Sequence, residues 1–426
     1  MSRKRSFRVG WLLISSWMWH LTRWDGLFLG TYLVTHLGGS AIEDQLVGVA
    51  LFTPMLIGAL VARQLHKGLN PRVVLLVCQV ILIPVAACFA LVVGSGSAEI
   101  WMVYPFEFAF GIGGMLNMTA QRELLARTAG PQRQHRVLSA ELTGLSSAMM
   151  LGPLLGGISV GVIGLGPAFV PPVVLLTGSV TILAAARHPA GAVPAPGGPA
   201  EPGRSAEPGA SPAPERRNLR YLLGYRRLVL VLGVTVVANL CYFSFTPLVP
   251  AVAKRLHAGP ALAGVLGSTA GAVQLVIAAA LVVWPARRAS AAFTAAVGLC
   301  LVCLAALAYA PDAVVGLSIL AVAGIGQGFF NSLQTLLAVA SVPHSDRPAA
   351  LGALTTTIGA ALPLGMLVLG ISSTLLGTQA GMLVSAVTGL AVLAVIAVLN
   401  RAAIADRGGD GSDQPAPVPP EPLRMF

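Results

Sequence analysis

Twelve apolar stretches, each long enough to cross a bilayer, fill most of this chain and leave it few ways to fold. They run at roughly 9–36, 44–65, 72–93, 98–120, 138–162 and 168–187, then at roughly 227–252, 261–284, 289–310, 313–341, 348–371 and 375–400. A helix rises about 1.5 Å per residue, so about 20 apolar residues span the ~30 Å hydrocarbon core. Inside lipid each backbone group must be bonded within the protein, and for segments of this length and texture that means helix. The expected fold is all-α and integral to the membrane: twelve transmembrane helices in two six-helix sets. The N-terminal bundle is expected over 1–187 and the C-terminal bundle over 225–401. Between them 188–224 is rich in Pro, Gly, Ala and Glu and reads as a disordered cytoplasmic linker, as does the tail 402–426.

Charge supports this reading. Only 10% of the 426 residues are charged, where a soluble domain carries about a quarter. A net charge of +11 would point to nucleic acid in a soluble protein, but here the basic residues are sorted by loop. Of 27 Lys and Arg, all but Arg23, Lys254 and Arg255 fall at the termini or in the even-to-odd loops. By the positive-inside rule those loops and both termini are cytoplasmic. Membrane lipid is then the surrounding partner, and nucleic acid is not expected.

The five cysteines all lie in apolar segments and read as packing residues, Cys300-x-x-Cys303 included. No Walker motif, nucleophile–base set or metal-ligand cluster is present in the sequence, so neither an enzyme, a cofactor nor a metal is expected. The basic start leads into a segment too long for a signal-peptide core.

Against that apolar background, Asp25 and Glu107 fall inside spans, and Arg23 lies two residues from the first. An ionisable group at the bilayer centre costs roughly 2.5–3.5 kcal/mol on insertion scales, so three in one half imply a wet cavity that handles protons, ions or substrate. Asp25 is about 17 Å from the outer end of its span and Glu107 about 14 Å from the outer end of its own, a similar depth. Residues two apart diverge on a helix, so Arg23 is expected to pair across to Glu107, leaving Asp25 as the freer proton site. The alternative is a permanent Arg23–Glu107 ion pair with Asp25 bonded to backbone. His20 is either a titrating group or a hydrogen-bonded interfacial histidine.

The second half has no charge within its spans. Its amides and aromatics, chiefly Asn239, Tyr242, Phe245, Phe330, Asn331 and Gln334, suit a small amphipathic organic substrate more than an inorganic ion. The halves also echo each other. Gly111-Ile112-Gly113 followed by Asn117 and Gln121 parallels Gly324-Ile325-Gly326 followed by Asn331 and Gln334. Internal repeats with a site between them are a transporter architecture.

Three motifs make the chain resemble the major facilitator superfamily, and within it the bacterial exporter branch of enterobactin and multidrug efflux proteins. Gly58-Ala59-Leu60-Val61-Ala62-Arg63 is similar to the loop motif G-x-L-A-D-R, with Ala62 in place of the acid. Gly152-Pro153-Leu154-Leu155-Gly156-Gly157 is similar to the antiporter motif G-P-x-x-G-G. Glu107 through Gly114 follows the span-four motif, with Glu107 where that motif has arginine. Asp25 resembles the span-one acid of proton-coupled exporters.

The resemblance implies two pseudo-symmetric bundles that rock about a midplane site. It assigns gating roles to Gly58, Arg63, Gly152, Pro153, Gly156 and Gly157, and proton coupling to Asp25, Glu107 and Arg23. The function expected is proton antiport by a monomer in the bacterial inner membrane, exporting an antibiotic, natural product or siderophore. The rivals are a metabolite importer or facilitator, and a non-transporting sensor that keeps the fold.

Overall fold

The computed structural model describes residues 2–65, 69–129, 133–186, 219–222, 224–284, 286–401 and 404. Each of the twelve expected spans is helical. The first bundle comprises α1 (Ser2–His36), α2 (Ala41–Leu65), α3 (Pro71–Gly94), α4 (Ile100–Ala129), α5 (Gln134–Ile163) and α6 (Val170–Ala185). The second comprises α7 (Arg226–Arg255), α8 (Pro260–Val283), α9 (Ala289–Ala308), α10 (Ala313–Ala340), α11 (Arg347–Leu376) and α12 (Thr378–Leu399). Among the described residues, nine helices are long and apolar enough to cross a membrane. The other three, α1, α2 and α4, hold Arg23, Asp25, Asp44 and Glu107, all buried.

Local chemistry sets several helix starts. Asn70 accepts a hydrogen bond from the Arg72 amide at 3.0 Å with Pro71 as the first helical residue of α3. Asp312 caps α10 through the Val315 amide at 2.9 Å. Most of the expected linker, 188–218, and of the tail lies outside the described residues. The end of the linker is ordered: Leu219–Leu222 forms a short helix with Leu222 buried, and the Tyr225 hydroxyl donates to Asp346 Oδ2 at 2.9 Å.

Neighbour relations repeat on a shift of six helices. α2 packs on α4 as α8 does on α10, and α3 packs on α4 and α6 as α9 does on α10 and α12. Likewise α1 packs on α4, α5 and α6 as α7 does on α10, α11 and α12. Two further seams, α5 on α8 and α2 on α11, join the bundles and are themselves exchanged by that shift. This is the expected pair of pseudo-symmetric bundles. Each has its own apolar core, and Phe28 and Met366 cross over into the core of the opposite bundle.

α7 departs from a regular span. Its α-helical start, Arg226–Val237, passes into a π turn at Ala238–Tyr242 and a 3-10 stretch at Phe243–Leu248 before Val249–Arg255 resumes. Pro247 and Pro250 lack N–H donors and so break the ladder. Side chains bond to carbonyls of this stretch. Ser385 Oγ donates to Cys241 O at 2.9 Å, and Gln45 Nε2, from the opposite bundle, donates to Ser244 O at 2.9 Å. In the 3-10 pattern the donor for Ser244 O would be residue 247, which is proline.

Candidate functional site

The site is built on the two faces of α1. Trp17, His20, Asp25 and Phe28 turn toward α5, and Trp24 touches it through its backbone and Cβ while its ring lies 6.1 Å from that of Phe52 on α2. The Trp17 indole donates to Ser147 Oγ at 3.0 Å, and a Cβ added at Gly152 would lie 2.7 Å from the Asp25 amide nitrogen. A Cβ at Gly156 would lie 2.7 Å from Asp25 Oδ1 and 2.7 Å from the Phe28 ring. Gly152 and Gly156 are one turn apart and open α5 to α1 at the acid. Pro153 and Gly157, each one residue on, face the other bundle: a Cβ at Gly157 would lie 2.6 Å from the Gly264 Cα, and one at Gly267 would lie 2.8 Å from Pro153 Cβ. The G-P-x-x-G-G motif is thus a two-sided spacer between Asp25 and the α5–α8 seam. Asp25 itself is wholly buried, and neither carboxylate oxygen has a hydrogen-bond partner among the described residues.

Arg23 and Glu107 occupy the other face. Glu107 Oε1 fits against the glycines of α1, 3.1 Å from where a Gly30 Cβ would be and 3.8 Å from that of Gly26. That puts Glu107 within about one helical turn of the level of Asp25. The expected Arg23–Glu107 ion pair is absent: the ion pairs among the described residues are His20–Glu141, Arg122–Glu141 and Arg127–Glu123. Arg23 instead points toward α2, with its guanidinium 5.4 Å from the Phe52 ring centroid and Nη2 3.5 Å from Met55 Sδ. Gly114 on α4 makes room for it, since a Cβ there would lie 2.9 Å from the guanidinium carbon. Packing explains the difference, because the Arg23 side chain is drawn to the aromatic and thioether surface of α2. The backbone bond expected in the alternative reading of Asp25 is also absent among the described residues.

Sequence reasoning did not single out Glu141. It lies on α5, is 2% exposed, and its Oε1 is 3.3 Å from His20 Nε2. Its Oε2 is 3.8 Å from Nε of Arg122, whose side chain is 43% exposed. Glu141 falls just inside the predicted start of span five, at 138, where a charge reads as an interfacial residue. The signal available was a further acid inside a span, beyond Asp25 and Glu107, in the half that already held three ionisable groups.

The bundles are tied together at the ends away from the chain termini. Three hydrogen bonds cross between them among the described residues: Gln45 to Ser244, the Ile42 amide to Thr374 Oγ1 at 3.0 Å, and Lys254 Nζ to Thr35 O at 3.2 Å. The Thr35 hydroxyl also donates to buried Asp44 at 2.9 Å. Gly48 opens α2 to Met366 and Pro247 in the same region. Lys254 and Arg255, the exceptions to the sorting of basic residues, have structural partners here. Lys254 binds the carbonyl end of α1, and Arg255 donates to the carbonyls of Leu307 and Ala308 that end α9. Cations are favoured at such helix ends.

The residues expected to contact substrate divide. Asn239, Tyr242, Phe245, Phe330 and Gln334 are buried within the second bundle, where they bond or stack on one another's neighbours. Asn239 donates to Thr235 O, Gln334 to Thr235 Oγ1 at 3.1 Å, and Tyr242 accepts from Gln327 at 2.8 Å. Phe330 stacks on Phe293 at 5.2 Å. In this state they are not open to a ligand, because the apolar interior of the bundle takes the aromatics in. Asn331 alone is exposed, and it donates to Gln274 Oε1 on α8 at 3.0 Å. Gly58 and Arg63 are on α2, but their side chains lie outside the described residues.

Comparison with known proteins agrees with this architecture. No curated protein matches the chain. Solved structures similar to it include a bacterial homologue of the human lysosomal transporter Spinster, inward-facing and unoccupied, with 14% identity and a TM-score of 0.70 over 95% of this chain and 98% of that one. The nucleoside transporter NupG is similar at 14% identity and a TM-score of 0.65, over 93% of this chain and 99% of its own. An auto-inhibited peptide transporter of the POT family is similar at 15% identity and a TM-score of 0.69, over 96% and 99%. At these identities the likeness speaks for the fold. The sequence model of the Major Facilitator Superfamily matches residues 22–344. With its two six-helix bundles and that match over most of its length, the chain belongs to the Major Facilitator Superfamily.

Proposed function

We propose that this protein is a proton-coupled antiporter that exports a small amphipathic organic compound by alternating access. One observation carries the reading. Asp25 is a wholly buried carboxylate without a donor among the described residues, set against the same six-residue motif whose opposite face touches the other bundle. An ionised carboxylate in such surroundings is costly, and uptake of a proton removes that cost. Loss of the proton would favour a rearrangement that gives Asp25 water or a cation, and α5 cannot shift against α1 without moving the α5–α8 seam. Proton binding and bundle rocking are thereby linked.

With both termini cytoplasmic, as the loop charges favour, the ties between the bundles lie on the outer side and this state faces inward. A bacterial inner membrane, with a proton gradient directed inward, supplies the driving force. Glu107 and Arg23 are proposed to tune the site by exchanging partners between states. On the substrate side, the exposed Asn331 with Gln274 offers a polar contact beside an apolar wall. Tyr242, Phe245 and Phe330 would reach substrate only once the irregular part of α7 moves. Gly58 and Arg63 are proposed to act at the opposite gate, as the family motif implies.

The test is accumulation of a panel of amphipathic toxins and siderophores in an efflux-deficient bacterium, with wild type and Asp25→Asn at matched membrane levels. Export predicts lowered accumulation of some compound by wild type alone, lost when a protonophore is added. Raised accumulation would identify an importer. No effect for any compound would favour a non-transporting relative.

A further inference from the structure

We propose that Asp44 is a second proton-binding site, placed where the bundles close on each other, and that its protonation releases that closure. The inference goes beyond the coupling assigned to Asp25 and does not depend on it. Asp44 stands in the first turn of α2 and is buried. Its Oδ1 accepts from the Thr35 hydroxyl at 2.9 Å, and the carbonyl of the same Thr35 accepts from Lys254 Nζ at 3.2 Å. Asp44 and Thr35 belong to the first bundle and Lys254 to the second. One residue near the end of α1 therefore holds an anion of its own bundle and a cation from across the gap. The other two ties between the bundles start from the Ile42 amide and from Gln45. All three cross-bundle hydrogen bonds among the described residues thus gather around this one acid.

Electrostatics gives the direction. Lys254 is the cation acting on Asp44, while its neighbour Arg255 is engaged by the carbonyls of Leu307 and Ala308. The ammonium and the carboxylate make no direct ion pair, so the attraction acts across Thr35 and is modest. Glu43 is adjacent and repels the Asp44 charge, but its own carboxylate accepts from the amide and hydroxyl of Ser40, each at 2.7 Å.

The other titratable groups come from the four helices that pack on α2. α4 brings Tyr104, which lies in the field of Glu43 and Asp44, and the deeper Glu107, set against Gly30. Glu99, just before α4, accepts from the Trp101 indole at 2.6 Å. α1 brings His36, which is exposed and stacks on Tyr32. α7 brings Lys254 and Arg255. The titratable side chain of α11, Arg347, is at its opposite end.

Proton uptake from the aqueous phase on this side forms an O–H bond on Asp44 and breaks no bond of the protein. The neutral acid can keep its hydrogen bond to Thr35, since a hydroxyl serves a carboxyl group in either form. It no longer attracts Lys254, and the bundles part more readily at this end. With the orientation proposed above that proton comes from outside, so an acidic exterior favours the outward opening.

The test measures spin-label distances between the far ends of α2 and α11 in the full-length protein in lipid nanodiscs. An Asp25→Asn background removes the other proposed proton site, so that failure here leaves the reading of Asp25 untouched. Lowering the pH from about 8 to about 5 should raise the ratio of far-side-open to closed molecules about threefold. Asp44→Asn should show the raised ratio at both pH values. Lys254→Gln, at an exposed position, should likewise remove the pH dependence, which keeps the test decisive if Asp44→Asn fails to fold. No pH dependence, a shift toward the closed form in acid, or a dependence that survives in the folded variants would overturn the proposal.

Discussion

Gly156 and Asp25 are in contact across the α1–α5 interface, closely enough that a Cβ on Gly156 would lie 2.7 Å from the carboxylate oxygen. The motif glycine therefore does more than permit packing: it sets the space in which the acid can gain or lose a proton. Gly156→Ala should destabilise the protein by about 1–3 kcal/mol through overpacking, and should reduce transport more than its loss in abundance explains. Gly161→Ala is the control, since its Cβ would meet Ala261 at an ordinary 3.4 Å. Transport per folded molecule, measured for both, separates the two effects.

Asp25→Asn keeps the shape of the side chain and removes its charge. It should insert and fold as wild type, judged by detergent gel filtration, and should pump nothing against a gradient. Energy-independent exchange of substrate should survive, because the amide mimics a permanently neutral site. Full gradient-driven pumping by this variant would remove Asp25 from the mechanism.

Lys254 and Gln45 each hold one of the bonds that close the bundles on the far side. Gln45→Ala leaves a carbonyl in α7 without its donor and should cost about 1 kcal/mol in this state, which is about a fivefold shift toward the opposite opening. Lys254→Ala should act in the same direction and more weakly, because the ammonium is solvent-facing. Spin-label distances between the far ends of α2 and α11 would report the longer population. An unchanged distance distribution would deny these bonds a gating part.

Arg23 makes no ion pair with Glu107 in this state. The two buried groups still feel each other's charge, so a double-mutant cycle on Arg23→Gln and Glu107→Gln should give a measurable but modest coupling when the protein is held closed on the far side. A larger coupling after the protein is trapped open on that side would identify the partner exchange proposed above.

The fold was legible because its cause is spread along the whole chain. Hydropathy marks most of the spans, nine of them outright among the described residues, and helix ends such as Asn70-Pro71 and Asp312 are marked by their caps. The break in α7 was also legible in principle, as Pro247 and Pro250 stand inside an apolar run, but length alone hides it. The candidate site was only half visible. Asp25 and the Gly152–Gly157 motif stand out by type and spacing, whereas their contact depends on how α1 and α5 pack. The rotation of Arg23 toward Phe52 and Met55 is a packing outcome that no spacing encodes. Glu141 escaped notice because a charge near a span end looks solvated until tertiary structure buries it. The aromatic wall drew attention by composition, yet Phe330 and Tyr242 face into their own bundle, where apolar surface is most readily satisfied.

The central claim is that outward substrate movement and inward proton movement share Asp25. Its most direct test uses proteoliposomes loaded with a pH-sensitive dye, to which a compound identified by the accumulation panel is added as a concentration gradient. Wild type should move protons opposite to the compound, and Asp25→Asn should move none while still binding it. Proton movement in the same direction as the compound, or an undiminished signal in Asp25→Asn, would contradict the account.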